Sequence, residues 1–556
     1  VPMKMKIFTL VLLVVSSNVC SKIAMAQSIV VDAPTLDEVI TRMEHEAFNT
    51  GKYLTGVIVE HGFDFFEEAS YEVMSDGLTV YELEIEAYEA MGLCVYFDDF
   101  HIPVGGELFF ESPDGAFDVI YSEGPIDASE NNAHGRWVSG DIPGSVMKII
   151  YHQPSSAVGS ARLGIMGVGF FARNVDRGSD DCEVDVMCPE GDSWQCERDA
   201  VVKLRITQGG GIYLCSGAMV NNTERDCRQL LLSAFHCADA VEENEWAYFK
   251  VQFNYEYLEC GGAVSINSHT RTGVLPLSNS DDATNQGFSG SDFLLVEVED
   301  PISATWNPYY AGFDASGETG HSGVGIHHPS GDRKKISTYT NPLISYSLGS
   351  AGSHWRVYWE ATETNHGVTE GGSSGSPIFS ENHQIVGTLS SGLSACTAGG
   401  AGNGTGLNQP DFYGKMSYHW DGANPIPSSQ HLDNFLDPSG SGQEIIYGSY
   451  VGEGDQPCGN FGACSATEMQ GMILEEKGWS LSPNPAYDRI QIKMPAGATL
   501  SELRIYDALG RLEESIIPSV FKQTMMVSVM KLSTGLHYLT VRTPDGTSST
   551  MKLIVE

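Results

Sequence analysis

Gly371-Gly372-Ser373-Ser374-Gly375-Ser376-Pro377-Ile378-Phe379 admits two readings, and they lead to different folds. Gly371 to Gly375 fits G-x-S-x-G, which would put Ser373 on a strand-to-helix elbow with a histidine later in the chain. Pro377 and then an apolar β-run come next, so no helix begins here and the elbow fails. The alternative is a loop entering a strand, with Ser374 at its tip. Its glycine lets the backbone N–H groups of Gly372 and Ser374 converge on one point. The surroundings agree with an all-β protein: short alternating strands separated by Gly/Ser/Asn loops run from Asp181 to beyond Asn408.

A serine at such a loop can act as a nucleophile only with a base and an orienting carboxylate. Ser233-Ala234-Phe235-His236-Cys237 places a histidine at the end of the apolar strand Leu230-Leu231-Leu232. Ser291-Asp292-Phe293-Leu294-Leu295 places a carboxylate at the start of another apolar strand, where it can be buried against the imidazole. Each segment alone is a weak signal. In the order His236, Asp292, Ser374 they match the chymotrypsin arrangement and neither the subtilisin nor the α/β-hydrolase order. Gly372 and Ser374 are the expected oxyanion donors. The sequence contains no H-E-x-x-H, and no cofactor or metal is expected.

The 556 residues are enough for three or four domains. A formal net charge of -41 argues against a nucleic-acid partner. Lys4 and Lys6 precede the apolar run Ile7–Val15, and Ala24-Met25-Ala26 supplies a cleavage pattern, so residues 1–26 read as a secretory signal peptide. Of twelve cysteines, Cys20 leaves with that signal and Cys94 stands far from the other ten, which is a first hint of a removable pro-segment.

Residues 27–177 read as a β-rich pro-domain with one leading helix, Leu36–Ala47, whose Thr35 and Glu38 have capping-box spacing. Residues 178–450 form the catalytic segment, with one short late helix, Ser428–Leu436. Residues 451–478 are a Gly-rich linker in which Cys458 and Cys464 can staple a small loop. Residues 479–556 carry five or more alternating strands and read as a small β-sandwich.

Cys182-Glu-Val-Asp-Val-Met-Cys188-Pro-Glu-Gly, Gly217-Ala-Met-Val-Asn-Asn-Thr223, Gly325-Ile-His-His-Pro329 and Gly372-Ser-Ser-Gly-Ser-Pro377 resemble the bacterial lysyl endopeptidases over residues 178 to 450. The resemblance implies a chymotrypsin-like double β-barrel with the site between the barrels. It also implies disulfides Cys182–Cys396, Cys188–Cys260 and Cys215–Cys237. Cys196 and Cys227 lie outside the family pattern and are expected to pair with each other. Asp411, in Pro410-Asp411-Phe412-Tyr413-Gly414, matches the family's specificity carboxylate, whereas Val368 stands six residues before Ser374. The family's pocket-side Trp and His fall on Tyr346 and Ser390 here. His327 and His328 read as structural, since a His-His-Pro turn without a third ligand is a poor metal site.

The resemblance further implies a zymogen cutting after lysine; a mixed Lys/Arg preference is the runner-up, and an adhesin on an inactive scaffold the reading from another class. Arg173-Asn-Val-Asp-Arg177-Gly178 has no lysine, so an arginine-specific partner protease is expected to process it. Leu481-Ser-Pro-Asn-Pro485, Ile505-Tyr-Asp-Ala-Leu-Gly-Arg511 and Leu532-Ser-Thr-Gly-Leu-His-Tyr-Leu539 resemble type IX secretion sorting domains of Bacteroidetes. That implies the type IX machinery as a partner and a secreted or cell-surface location.

Overall fold

A computed structural model describes residues 27–112, 122–157, 159–175, 178–262, 268–280, 290–303, 306–348, 350–397, 405–421, 427–450 and the strand-forming parts of 480–555. The expected signal peptide, Arg177, and the Cys458–Cys464 loop lie outside the described residues.

The catalytic segment is built from two rings of antiparallel strands. In the first, Lys250–Phe253, Val201–Gln208, Gly211–Met219, Leu230–Ser233, Leu294–Val298 and Val274–Asn279 pair in that order. His269–Thr272 precedes Val274–Asn279 across Gly273 and pairs back onto Lys250–Phe253, which closes the barrel. In the second, Lys335–Tyr339, Gly323–His327, Pro377–Ser380, Gln384–Gly392, Asp411–Lys415 and Ser350–Val357 pair one after another. The chain beyond Val357 returns Glu360 N–H to the Thr338 carbonyl, closing this ring too. Closure removes the exposed edges that an open sheet would leave. The architecture is all-β and chymotrypsin-like.

Short apolar strands suit this design because alternate residues fill a barrel while their neighbours fill the seam between barrels. Leu231 and Leu294 belong to the first core, whereas Leu230, Leu232 and Leu295 belong to an apolar layer shared with Phe313, Ile336 and Phe379 of the second barrel.

The leading helix is Leu36–Thr50, three residues longer than expected, with the Thr35/Glu38 capping box formed and Gly51 left-handed at its end. The segment expected to be a pro-segment is less separate than its composition suggests. Its strand Leu54–Asp64 pairs with Gly211–Tyr213 of the first barrel, and one apolar core joins Val31, Leu54 and Phe97 to Val202, Leu231 and Leu294. Leu230–Ser233 pairs only with Ala218 and Met219, so the Gly211–Tyr213 end of this barrel strand has one open side, and sequence patterning does not reveal which strand fills it. Ser428–Leu436 is two pieces, a 3₁₀ turn Ser428–Gln430 and a helix Asp433–Leu436. His431 is extended between them, and Leu432 donates its amide to His419 O instead of to the preceding turn. A short helix Gln195–Ala200 carries no periodicity that would have announced it.

In the C-terminal segment a three-stranded and a four-stranded sheet share one core of Ile490, Ile492, Val527, Leu503, Ile505 and Leu539, which makes a small sandwich.

Cys182–Cys396, Cys188–Cys260 and Cys215–Cys237 are formed. Cys196 and Cys227 are both disulfide-bonded, and Cys94 is a free, buried thiol. Cys215–Cys237 spans 22 residues and ties the central strand of the first barrel to the residue after His236. Replacing both cysteines by serine is expected to lower unfolding stability by about 3 kcal/mol through loop entropy. Urea titration of the full chain checks this.

Candidate functional site

His236 sits on a 3₁₀ turn, Phe235–Cys237, directly after the strand Leu230–Ser233. Asp292 lies two residues before the neighbouring strand and is completely buried. Its φ of +59° is left-handed, a conformation Asp tolerates better than most residues. That backbone turn aims the carboxylate at the histidine twice: Oδ1 accepts His236 N–H at 2.9 Å, and Oδ2 faces Nδ1 at 2.7 Å. Ser390 Oγ donates to the same Oδ2 at 2.7 Å.

The electrostatics arise from these contacts. Burial alone would lower the pKa of His236, but the charge and hydrogen bond of Asp292 outweigh it and the net shift is upward. For Asp292, burial pushes upward, and His236 with Ser390 pulls the carboxyl below its usual range. The Asp292 charge thus makes the buried imidazole a stronger base than burial alone would leave it.

Ser374 belongs to a loop fastened from several sides. Gly371 O accepts Ser330 N–H at 2.7 Å, Gly372 O accepts the Ser216 hydroxyl at 2.9 Å, and Ser374 O accepts Ser216 N–H at 2.8 Å. Ser373 Oγ meets His327 Nδ1 at 2.8 Å and accepts the Glu370 amide at 3.1 Å. His327 reaches Ser337 Oγ with its other nitrogen at 3.1 Å, and burial lowers its pKa to about 3, so it holds the loop as a neutral residue. Glu370 accepts from Asp180 N and Ser330 Oγ, and burial pushes its pKa to about 7. Gly372 has φ +96°. Among the described residues no acceptor takes the amide of Gly372 or of Ser374, which leaves two donors free at the loop tip.

Gly375 has no room for a side chain. Its φ is +79°, and a Cβ there would lie 2.1 Å from Ser233 Oγ and 2.6 Å from Ser216 O.

His236 and Ser374 line one cleft with Thr369, Gly371, Ser390, Gly392 and Ser394. Behind it lies Asp411, fully buried and taken by five donors. Ser394 Oγ and Trp359 Nε1 at 2.6 Å and Thr369 Oγ at 2.8 Å bond Oδ2, and the amides of Leu393 and Ser394 bond Oδ1 at 3.0 Å. Gly392 lies over it, since a Cβ there would approach Asp411 Oδ1 to 2.5 Å.

The two residues expected at the pocket, Ser390 and Tyr346, have different surroundings. Ser390 lines the cleft, but its hydroxyl is committed to Asp292. Tyr346 packs its ring on Phe412 at 4.8 Å beneath the Arg356 guanidinium and is not part of the cleft lining. Position along the loops identified both; the partner of each is a tertiary contact that no local signal carries.

The expected pro-segment, residues 27–177, also reaches this cleft. Ala47 to Gly51, the last turn of its helix, form the remaining wall. Lys52 is ion-paired with Asp239, three residues after His236. Tyr53 lies against Gly371, accepts Leu214 N–H on its carbonyl at 3.1 Å, and receives Arg173 Nη1 on its hydroxyl at 2.7 Å. Nothing in the sequence pattern of this stretch assigns it chemistry.

Two groupings of metal-ligand types occur among the described residues, Cys215/His236/Cys237 and Asp180/Glu370/Cys396. All three cysteines are in disulfides and offer no thiolate.

Two closed barrels meeting at a buried His–Asp pair and a glycine-framed serine loop define the chymotrypsin-like class. Within it, residues 177–414 match the family described as lysyl endopeptidase, C-terminal domain, so the resemblance carried by the motifs holds across that span. Residues 480–556 match the secretion system C-terminal sorting domain, which marks the chain for export or cell-surface attachment. A lysyl endopeptidase of Pseudomonas aeruginosa is 29% identical over 307 residues, covering 51% of this chain and 62% of that relative. The chain thus spans less than two thirds of that relative's length. Among solved structures, the thermostable serine protease AL20 from an extremophilic microorganism has a TM-score of 0.27 at 15% identity, covering 40% of this chain and 93% of its own. The protease Anisep from Arthrobacter nicotinovorans has a TM-score of 0.28 at 19% identity, covering 39% and 90%. No helix among the described residues is long and apolar enough to cross a membrane.

Gly375→Ala should destabilise the full chain by about 3 kcal/mol, combining left-handed backbone cost with overpacking. An unchanged urea midpoint would show that the loop is not held as tightly as its contacts imply.

Proposed function

We propose that this chain is a secreted serine endopeptidase that cuts after lysine. Ser374 attacks the scissile carbonyl, His236 takes its proton and later returns it to the leaving amine, and Asp292 orients the ring and stabilises the imidazolium. The free amides of Gly372 and Ser374 receive the oxyanion. The observation that carries this reading is the two-point grip of Asp292 on His236 in a cleft that also holds Ser374.

Asp411 supports lysine over arginine. Its oxygens are already filled by five donors, so a guanidinium finds no open bidentate face. An ammonium entering past Gly392 meets the Thr369 and Ser394 hydroxyls, whose lone pairs remain to accept while Asp411 holds their protons. We assign residues 27–177 to a pro-segment that walls the cleft until removed, with Arg177–Gly178 as the junction cut by an arginine-specific protease. The sorting domain is assigned to the type IX machinery.

Digestion of a mixed protein substrate by the processed form, with the cleaved bonds read by mass spectrometry, tests the specificity. Cuts after lysine alone are expected, and Asp411→Asn should reduce kcat/KM on lysyl substrates by about a hundredfold or more, as loss of the negative charge behind the two hydroxyls that meet the ammonium demands. Cuts after arginine as often as lysine refute the pocket. Ser374→Ala should lower kcat by about four orders of magnitude or more.

The acid limb of kcat/KM reports the free enzyme's base. Because Asp292 raises the His236 pKa, its midpoint is expected above the ordinary imidazole value of about 6.5. Lys52 lowers that pKa while the pro-segment is in place, and its departure moves the midpoint further up. A midpoint below the ordinary value contradicts the assigned base.

A further inference from the structure

The pro-segment covers more than the cleft. On the outer face of the first barrel, Lys203 and Arg205 stand opposite Gln252 and Lys250 across two paired strands. Arg333 lines the cavity beside them, and Arg271, opposite the core residue Val251, reaches its rim through Glu130, so five of the twelve Lys and Arg residues in 178–450 gather around it, in a chain whose net charge is -41. Trp306 and Tyr255 lie among them: the Arg271 guanidinium is 4.2 Å from the Trp306 ring centroid, and Lys203 Nζ is 4.6 Å from that of Tyr255.

The pro-segment answers with carboxylates. Asp141 pairs with Arg205, Glu123 with Lys250 at 3.3 Å, and Glu130 with Arg271 at 2.7 Å. Its backbone answers as well, since Ser139 O accepts Arg205 Nη2 at 2.7 Å and Val138 O accepts Lys250 Nζ at 3.2 Å. A cavity of about 570 Å³ remains between the two surfaces, lined from both sides.

We propose that this basic face becomes a docking surface for an acidic polypeptide segment once the pro-segment has left. The proposal rests on the reading of residues 27–177 as removable. Departure strips Arg205, Lys250 and Arg271 of their carboxylates, and cations that were stable there through pairing then seek new anions. The present occupant defines the chemistry: three carboxylates interleaved with main-chain carbonyls, which a polypeptide offers and a polysaccharide or nucleic acid does not. The face also connects to the nucleophile loop. Lys203 lies beside Gly331, where an added Cβ would come within 3.7 Å of its Cε, and Gly331 borders Gly372. A substrate could therefore rest its acidic stretch here while its lysine occupies the cleft.

The overall charge predicts the opposite, because a strongly negative protein repels an acidic peptide. The sign of the effect is therefore decisive. A fluorescein-labelled peptide rich in Glu is titrated, by anisotropy, into the folded full chain carrying Ser374→Ala and into the same chain after an arginine-specific protease has removed residues up to Arg177. Binding is expected only after removal. It should weaken by about tenfold or more between 20 and 300 mM salt, as screening requires. It should weaken by a similar factor in Arg205→Gln, and in Arg333→Gln should the first variant fold poorly. Equal binding before and after removal, no binding after it, or variants that bind like the parent would overturn the proposal. So would tighter binding of heparin than of the peptide, which would mark the face as a generic polyanion site. None of these readings uses catalysis. Cleavage of a small lysyl ester by the processed wild type separately reports whether the peptidase assignment stands.

Discussion

The contact between Asp292 and His236 organises the rest of the molecule. A carboxylate with no exposed surface is costly unless its charge is met, and here the imidazole, the His236 amide and the Ser390 hydroxyl meet it together. Holding those groups in place requires two adjacent barrel strands in register, a left-handed backbone at Asp292 and a disulfide beside the histidine. The second barrel contributes Ser390 through a strand that also borders the cleft. The pair is thus where the two barrels are joined chemically as well as where the reaction is proposed to occur.

The serine loop obeys a related constraint. Its carbonyls at 371, 372 and 374 are engaged by Ser330 and Ser216 and its Ser373 hydroxyl by His327, while among the described residues no acceptor takes the amides of Gly372 and Ser374. Glycines at 372 and 375 permit it: both are left-handed, Gly372 at the proposed oxyanion site and Gly375 against Ser233 where no side chain fits. The same loop supports Tyr53 of the pro-segment on Gly371. Under the proposed function, latency and catalysis share one surface, and the basic face beside it extends that sharing beyond the cleft.

How much of this could be read from the sequence depended on how local each signal is. His236, Asp292 and Ser374 were legible because each sits at a strand boundary with a recognisable flank, and their order along the chain narrowed the fold. The Thr35–Glu38 capping box located the leading helix directly. Three disulfides came from the family resemblance, which spacing alone could not have paired. Ser390 and Tyr346 show the limit: their positions were found, but a hydroxyl's choice of Asp292 and a ring's choice of Phe412 depend on how distant strands pack. The same holds for Leu54–Asp64: a β-rich segment was expected there, but its pairing with Gly211–Tyr213 is a tertiary contact that no local signal carries. Ser428–Leu436 had helical periodicity, and a buried hydrogen bond from Leu432 to His419 overrode it.

The central claim is that Ser374 is the group made nucleophilic by the His236–Asp292 pair. Its most direct test is to mix the processed protein with an activated lysyl ester, quench in acid within milliseconds, and locate the covalent adduct by peptide mass analysis. The account predicts one ester-linked acyl group per molecule, on Ser374, appearing as a burst and lost in His236→Ala. An adduct on Ser373 or another residue, or a burst that survives without the histidine, would contradict it.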